Sequence, residues 1–183
     1  MKALQHVTAA AALALAGLSA QAATYVVNVA GTASTNLLGE TGNTVLLVDV
    51  GANAVLDSLD WAVMLNAFSP SSLSEMQVSF GSSSGLDLIT FSPAAADTLS
   101  GTGSYSGTLS LAGLGVAAGA DGLLRIEFSE AYKDFAVGVA EGQWVSGTLN
   151  LNVSAVPEPA SVALVLLGLG LVGGAVRRSR HET

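Results

Sequence analysis

Between residues 23 and 155, nearly all the side chains able to move a proton or hold a cation are carboxylates. Asp57 stands near Asp60, Asp121 precedes Gly122, and Glu127, Glu130, Asp134 and Glu141 follow toward the C-terminal end. Two carboxylates about 5 to 10 Å apart can hydrolyse a glycosidic bond. Oxygen donors from acidic turns also suit calcium, a hard cation abundant outside cells. Asp121, Glu130 and Asp134 are the candidate metal ligands, although no D-x-D-x-D-G loop surrounds them. The competing reading is that the acids are solvated turns keeping an apolar-rich chain soluble. A sugar ring needs an aromatic surface to stack on, and the chain has 2 tryptophans. Trp61 aligns with Leu59, Val63 and Leu65 and is assigned to the core. Trp144 falls on the face of Ser146 and Thr148, which predicts an exposed platform for a ligand.

What is missing decides more. The two histidines, His6 and His181, lie outside this stretch, and there is no cysteine. Nucleophilic triads and zinc sites of the usual His and Cys type therefore have no material here. Phosphate cradling has none either, because no glycine-rich loop ends in lysine. No catalytic residue is assigned, the expectation is that the chain is not an enzyme, and calcium is the one cofactor considered. Arg125 and Lys133 face twelve acids in this stretch, a net charge of −10 against −8 for the whole chain. Nucleic acid is thereby excluded as a partner, since its phosphates require a basic face.

The elements that would position these residues are strands. Apolar and polar residues alternate with period two in Thr24 to Ala30, Thr44 to Val50, Leu59 to Leu65, Met76 to Phe80, Leu86 to Phe91, Tyr105 to Leu111, Leu124 to Phe128 and Val145 to Val153. In the last of these, Val145, Gly147, Leu149, Leu151 and Val153 are predicted to face the core. Short polar turns separate the strands, and no helix of ten or more residues intervenes, so the fold class is an all-β antiparallel sandwich of jelly-roll type. Ser72 to Glu75 fits a capping box and equally well a polar loop. Residues 65 to 91 followed by 122 to 153, with Trp144 before a Gly-Thr-Leu strand, resemble the jelly roll of proprotein convertase P-domains, a resemblance of spacing that transfers no binding site.

The two ends read as addresses. Residues 1–22 combine Lys2, an apolar run from Val7 to Leu18 and small residues at Ala20 and Ala22, the pattern of a signal peptide cut after Ala22 by signal peptidase. Residues 23–155 remain as one domain, of ordinary size for a single core. Residues 156–183 begin with Pro157, Glu158 and Pro159, where two prolines decouple the chain on either side. An uncharged run from 160 to 176 follows, predicted as a transmembrane helix of roughly 25 Å. Arg177, Arg178 and Arg180 close it as a basic stop that holds this end in the cytoplasm and the domain outside.

This tripartite tail, Val156 to Arg180, resembles the PEP-CTERM sorting signal of Gram-negative bacteria that make exopolysaccharide. The resemblance implies recognition by an exosortase, a membrane protease and transpeptidase. It further implies transient anchoring in the inner membrane, removal of the tail, and delivery to the cell surface or the extracellular matrix. The leading expectation is a non-enzymatic structural or adhesive protein of the exopolysaccharide layer or biofilm. A carbohydrate- or calcium-binding module is the first alternative, and an envelope enzyme working with carboxylates alone the second.

Overall fold

The computed structural model describes residues 22–154 together with Gly168, and its regular elements between 22 and 154 are strands apart from one 3-10 turn. The strands are β1 (Ala22–Asn28), β2 (Thr32–Ser34), β3 (Thr44–Asp49), β4 (Val55–Ala67), β5 (Met76–Ser82), β6 (Ile89–Phe91), β7 (Gly101–Ser110), β8 (Leu123–Glu130) and β9 (Gly142–Ser154). The turn is Leu73–Glu75, where the Ser72 N–H donates to Glu75 Oε2 at 2.9 Å. Ser72 and Glu75 thus do form a capping arrangement. Among the described residues no helix is long and apolar enough to cross a membrane. The predicted span at 160–176 lies outside them apart from Gly168.

Two antiparallel sheets result. The first has the order β1-β9-β4-β7, with β2 also on β9, and the second β3-β8-β5-β6. The pairings nest: β5 with β6, β4 with β7, β3 with β8, and β1 with β2 against β9. This is one long hairpin whose apex is the β5–β6 connection. It is rolled up so that β4 also meets β9 and β5 also meets β8, which is the jelly-roll arrangement. The base of the hairpin is the pair Ala22 and Ser154. Inward rows from both sheets, among them Leu59, Leu65, Phe80, Ile126, Leu149 and Leu151, fill the core and are essentially inaccessible.

The strict alternation predicted for β9 holds for Leu149, Leu151 and Val153 and fails before them. Met64 pairs with Ser146 but Leu65 pairs with Trp144, so Val145 is an extra, bulged residue. A bulge reverses which parity faces inward. Val145 is therefore 38% exposed, and Trp144 is buried with 0% exposure, packed edge-on against Phe128 at 5.0 Å. The predicted ligand platform is a core residue. Gly147, beside the bulge, has φ +114°, and a Cβ there would run into the Ala62 carbonyl oxygen. On β7, Gly107 lies under the Trp61 ring, which would meet a Cβ at 2.6 Å, and that ring packs on Phe91 at 4.5 Å. Trp61 is partly buried and packs against the core.

Leu149→Asp sets an unpaired charge in this core and is expected to lower stability by about 3 kcal/mol or more, whereas Asn150→Asp on the outer face changes it by less than about 0.5 kcal/mol. Gly147→Ala is expected to lie near the first, because the left-handed φ and the Ala62 carbonyl both oppose a side chain. Thermal unfolding of the three variants checks the facing, and equal melting temperatures for the two Asp variants would show it to be wrong.

Candidate functional site

The acids singled out by sequence do not converge on one point. Asp121 precedes β8 and Glu130 ends it, nine residues on, or about 30 Å at roughly 3.3 Å per strand residue. Asp121 is exposed and serves its own turn: its carboxylate accepts from Ser83 Oγ at 2.6 Å and from the Leu123 N–H at 3.1 Å, which holds its pKa below the ordinary value. Asp60 belongs to a polar ladder across the outer face of the first sheet. It accepts from Thr108 Oγ1 at 2.5 Å and from Asn152 Nδ2 at 2.8 Å, while Thr24 Oγ1 donates to Asn152 Oδ1 at 2.7 Å. These bonds, Thr108's first, lower the Asp60 pKa. Asp57, the bulged residue of β4, accepts instead from Ser154 Oγ. The described residues contain no group of three or more His, Cys, Asp or Glu able to hold a metal ion.

What the fold does assemble lies at the end of the sandwich away from Ala22 and Ser154. Glu130 continues the inward row Leu124, Ile126, Phe128 and is 1% exposed, so β8 ends by pointing a carboxyl into the closing core. Neither of its oxygens has a hydrogen-bond partner among the described residues. Ser34 Oγ, beside it, donates to the Ser129 carbonyl at 3.0 Å instead. Burial pushes the Glu130 pKa up to about 7; the nearby Ser34 hydroxyl and Lys133 oppose the shift, and the negative charges of Glu141 and Glu75 add to it. The one nearby cation is already engaged, since Lys133 Nζ lies 2.7 Å from Glu141 Oε1 and also donates to the carbonyls of Thr35 and Val139.

The other buried acids are closed by their partners. Glu141 also receives the N–H groups of Asp134 and Phe135, at 3.0 and 2.9 Å, so it pins the loop after β8 to the start of β9. Although burial opposes it, these donors and Lys133 hold the Glu141 pKa below the ordinary value. Glu127 lies under residues 35–43, where it accepts from the Gly39 N–H at 2.8 Å, Asn43 Nδ2 at 2.9 Å and Arg125 Nη2 at 2.6 Å. Asp134 is exposed, and its pKa is raised first by desolvation and then by Glu75 and Glu141. Glu75 was not singled out as part of this cluster by sequence. The row Leu124, Ile126, Phe128, Glu130 does carry a signal for Glu130, because the alternation that buries the first three buries the fourth.

Among these acids Glu130 alone is both buried and without a partner, and a neutral carboxyl tolerates that position better than a charged one. Its folded pKa of about 7 lies above the ordinary 4.5, so the folded state holds a proton that the unfolded chain releases. Stability is therefore expected to fall as pH rises from about 4.5 through about 7, and to stay lower above that. Glu130→Gln removes this slope and raises stability at pH 8 by about 3 kcal/mol, with little change at pH 4. Denaturant unfolding at pH 4, 6 and 8 measures both, and an unaltered slope in the variant would assign the titration to another group.

No curated protein matches the chain. Solved structures resemble the sandwich in outline only. The serine protease of Aeromonas sobria in complex with its chaperone is 12% identical with a TM-score of 0.42, over 75% of this chain and 28% of that one. Infectious bursal disease virus, Gt strain, is 12% identical with a TM-score of 0.36, over 72% and 32%. Dimeric latent PorU from Porphyromonas gingivalis is 13% identical with a TM-score of 0.34, over 75% and 14%. The chain thus spans a third or less of each, at similarities too low to bear on what it does. Pro157, Glu158, Pro159, the basic stop at Arg177, Arg178 and Arg180, and Ala20 lie outside the described residues, while Ala22 opens β1. The tail is matched directly: residues 155–180 fit the family model of the PEP-CTERM protein-sorting motif, starting one residue after β9 ends, so the chain carries an exosortase sorting signal.

Proposed function

We propose that this is an exported, non-enzymatic protein whose jelly-roll domain an exosortase delivers to the cell surface or extracellular matrix, where it has a structural or adhesive part in an exopolysaccharide layer. The observation that carries this reading is the sorting motif at 155–180, joined without a spacer to the last strand of a two-sheet domain. The chemistry of the domain supports it. No imidazole or thiol is available between residues 23 and 155, and the buried acids Glu127 and Glu141 are consumed in holding loops. Glycan recognition by stacking loses its candidate platform, because Trp144 is inside the core.

In this reading signal peptidase removes the first segment and the exosortase the last, and the chain is held at the inner membrane between the two events. Seventeen uncharged residues interrupted by glycines make a short span, suited to temporary retention. Mass spectrometry of surface and matrix material is expected to recover peptides from residues 23 to 155 and none from Ala160 onward. Abundant tail peptides in the extracellular fraction would contradict exosortase processing.

A further inference from the structure

β7 is the outer strand of the first sheet, and no described residue bonds to its free backbone side. We propose that this edge pairs with the same edge of a second copy, antiparallel about a two-fold axis at Ser106, so that one sheet runs through both molecules. The pairing is independent of how the chain is sorted. All ten residues of β7, Gly101–Ser110, keep some exposure, in contrast to β4 beside it. Its register with β4 runs without a bulge from Ser58 and Ser110 to Ala67 and Gly101, so the edge is regular over its full length. Folded proteins blunt such edges with charges, prolines, bulges or short length, and β7 has none of these.

The remaining edges are poorer candidates. β6 has three residues and is followed by Pro93, and β3 has six and ends in Asp49. β1 is also uncharged, but it is seven residues long and gives way to β2 after the turn at Gly31. Charge favours β7 as well. A domain with twelve acids and two bases repels its own copies over most of its surface, whereas GTGSYSGTLS offers a neutral seam. An antiparallel pair of identical strands about a two-fold axis at Ser106 is self-complementary, and on the outer face it sets Ser104 opposite Thr108, Thr102 opposite Ser110, and the two copies of Ser106 opposite each other. Main-chain bonds without a large apolar patch give a weak interface, which strengthens as salt screens the acids.

The absence of native cysteine makes position-specific cross-linking clean. In the full-length chain, Ser106→Cys lies near the axis and is expected to form disulfide-linked dimers about ten-fold more readily than Thr24→Cys on the opposite edge, the more so at high salt. Adding Ser104→Lys and Thr108→Lys sets like charges across the axis and is expected to lower that yield about ten-fold, with the melting temperature measured beside it because Thr108 Oγ1 also donates to Asp60. If the pair of lysines lowers the melting temperature, Ser104→Lys alone repeats the test. Equal yields from Ser106→Cys and Thr24→Cys, or a yield indifferent to the lysines, would overturn the proposal. So would a chain carrying both Thr24→Cys and Ser106→Cys in which position 24 of one copy links to position 106 of the next, which would show head-to-tail stacking.

Discussion

The pairing of β9 with β4 holds the molecule together. It runs from Val55 with Ser154 to Ala67 with Gly142, the longest ladder in the fold, and every other strand of the first sheet lies beside one of these two. Two such long strands could not keep one face inward along a twisted, curved sheet with unbroken alternation. They slip once each, at Asp57 on β4 and at Val145 on β9. Each slip reverses the inward parity, which is how Leu56 and Leu59, or Trp144 and Leu149, can share one interior. With no disulfide to constrain the unfolded chain, cohesion rests on that interior being filled.

At the end away from the chain's exits the same inward logic runs into polar residues. β8 keeps its alternation for one residue past its apolar run, and the carboxyl so delivered meets Glu75 and Glu141 and no free cation. Glu127 and Glu141 show how the fold treats an acid it needs, with three or more donors on each. Glu130 receives none, and burial raises its pKa to about 7 instead.

Period-two alternation located eight of the nine strands and the two-sheet class, because most strands present one continuous inward face. β2 carries no such signal: three residues, Thr32–Ser34, are too few to show a period, and they are held by partners on β9 rather than by their own pattern. Unbroken parity from Leu149 back through Val145 sets Trp144 on the outer face, and only its Leu65 partner reveals the register slip that turns it inward. Asp121, and Glu130 with Asp134, are two separate candidates in the sequence, and the fold sets them at opposite ends of β8. Closeness along the chain means little when the intervening residues form an extended strand with one acid at each end. The sorting tail, by contrast, was readable because its three parts are contiguous.

The pairing of Ala22 with Ser154 has a kinetic side. β9 fills the middle of its sheet, yet it is the last strand of the chain, so the central ladder must close over the full length of the domain. Such non-local closure is slow, because the entropy of ordering the chain is lost before the contacts return it. A chain delivered N-terminus first across a membrane cannot complete this sheet until residue 154 has emerged, when the sorting segment that begins at residue 155 is the next part to follow. Retention by that segment would give a slow-folding β domain a protected interval, tethered and dilute, in which to reach its final topology before release among other copies.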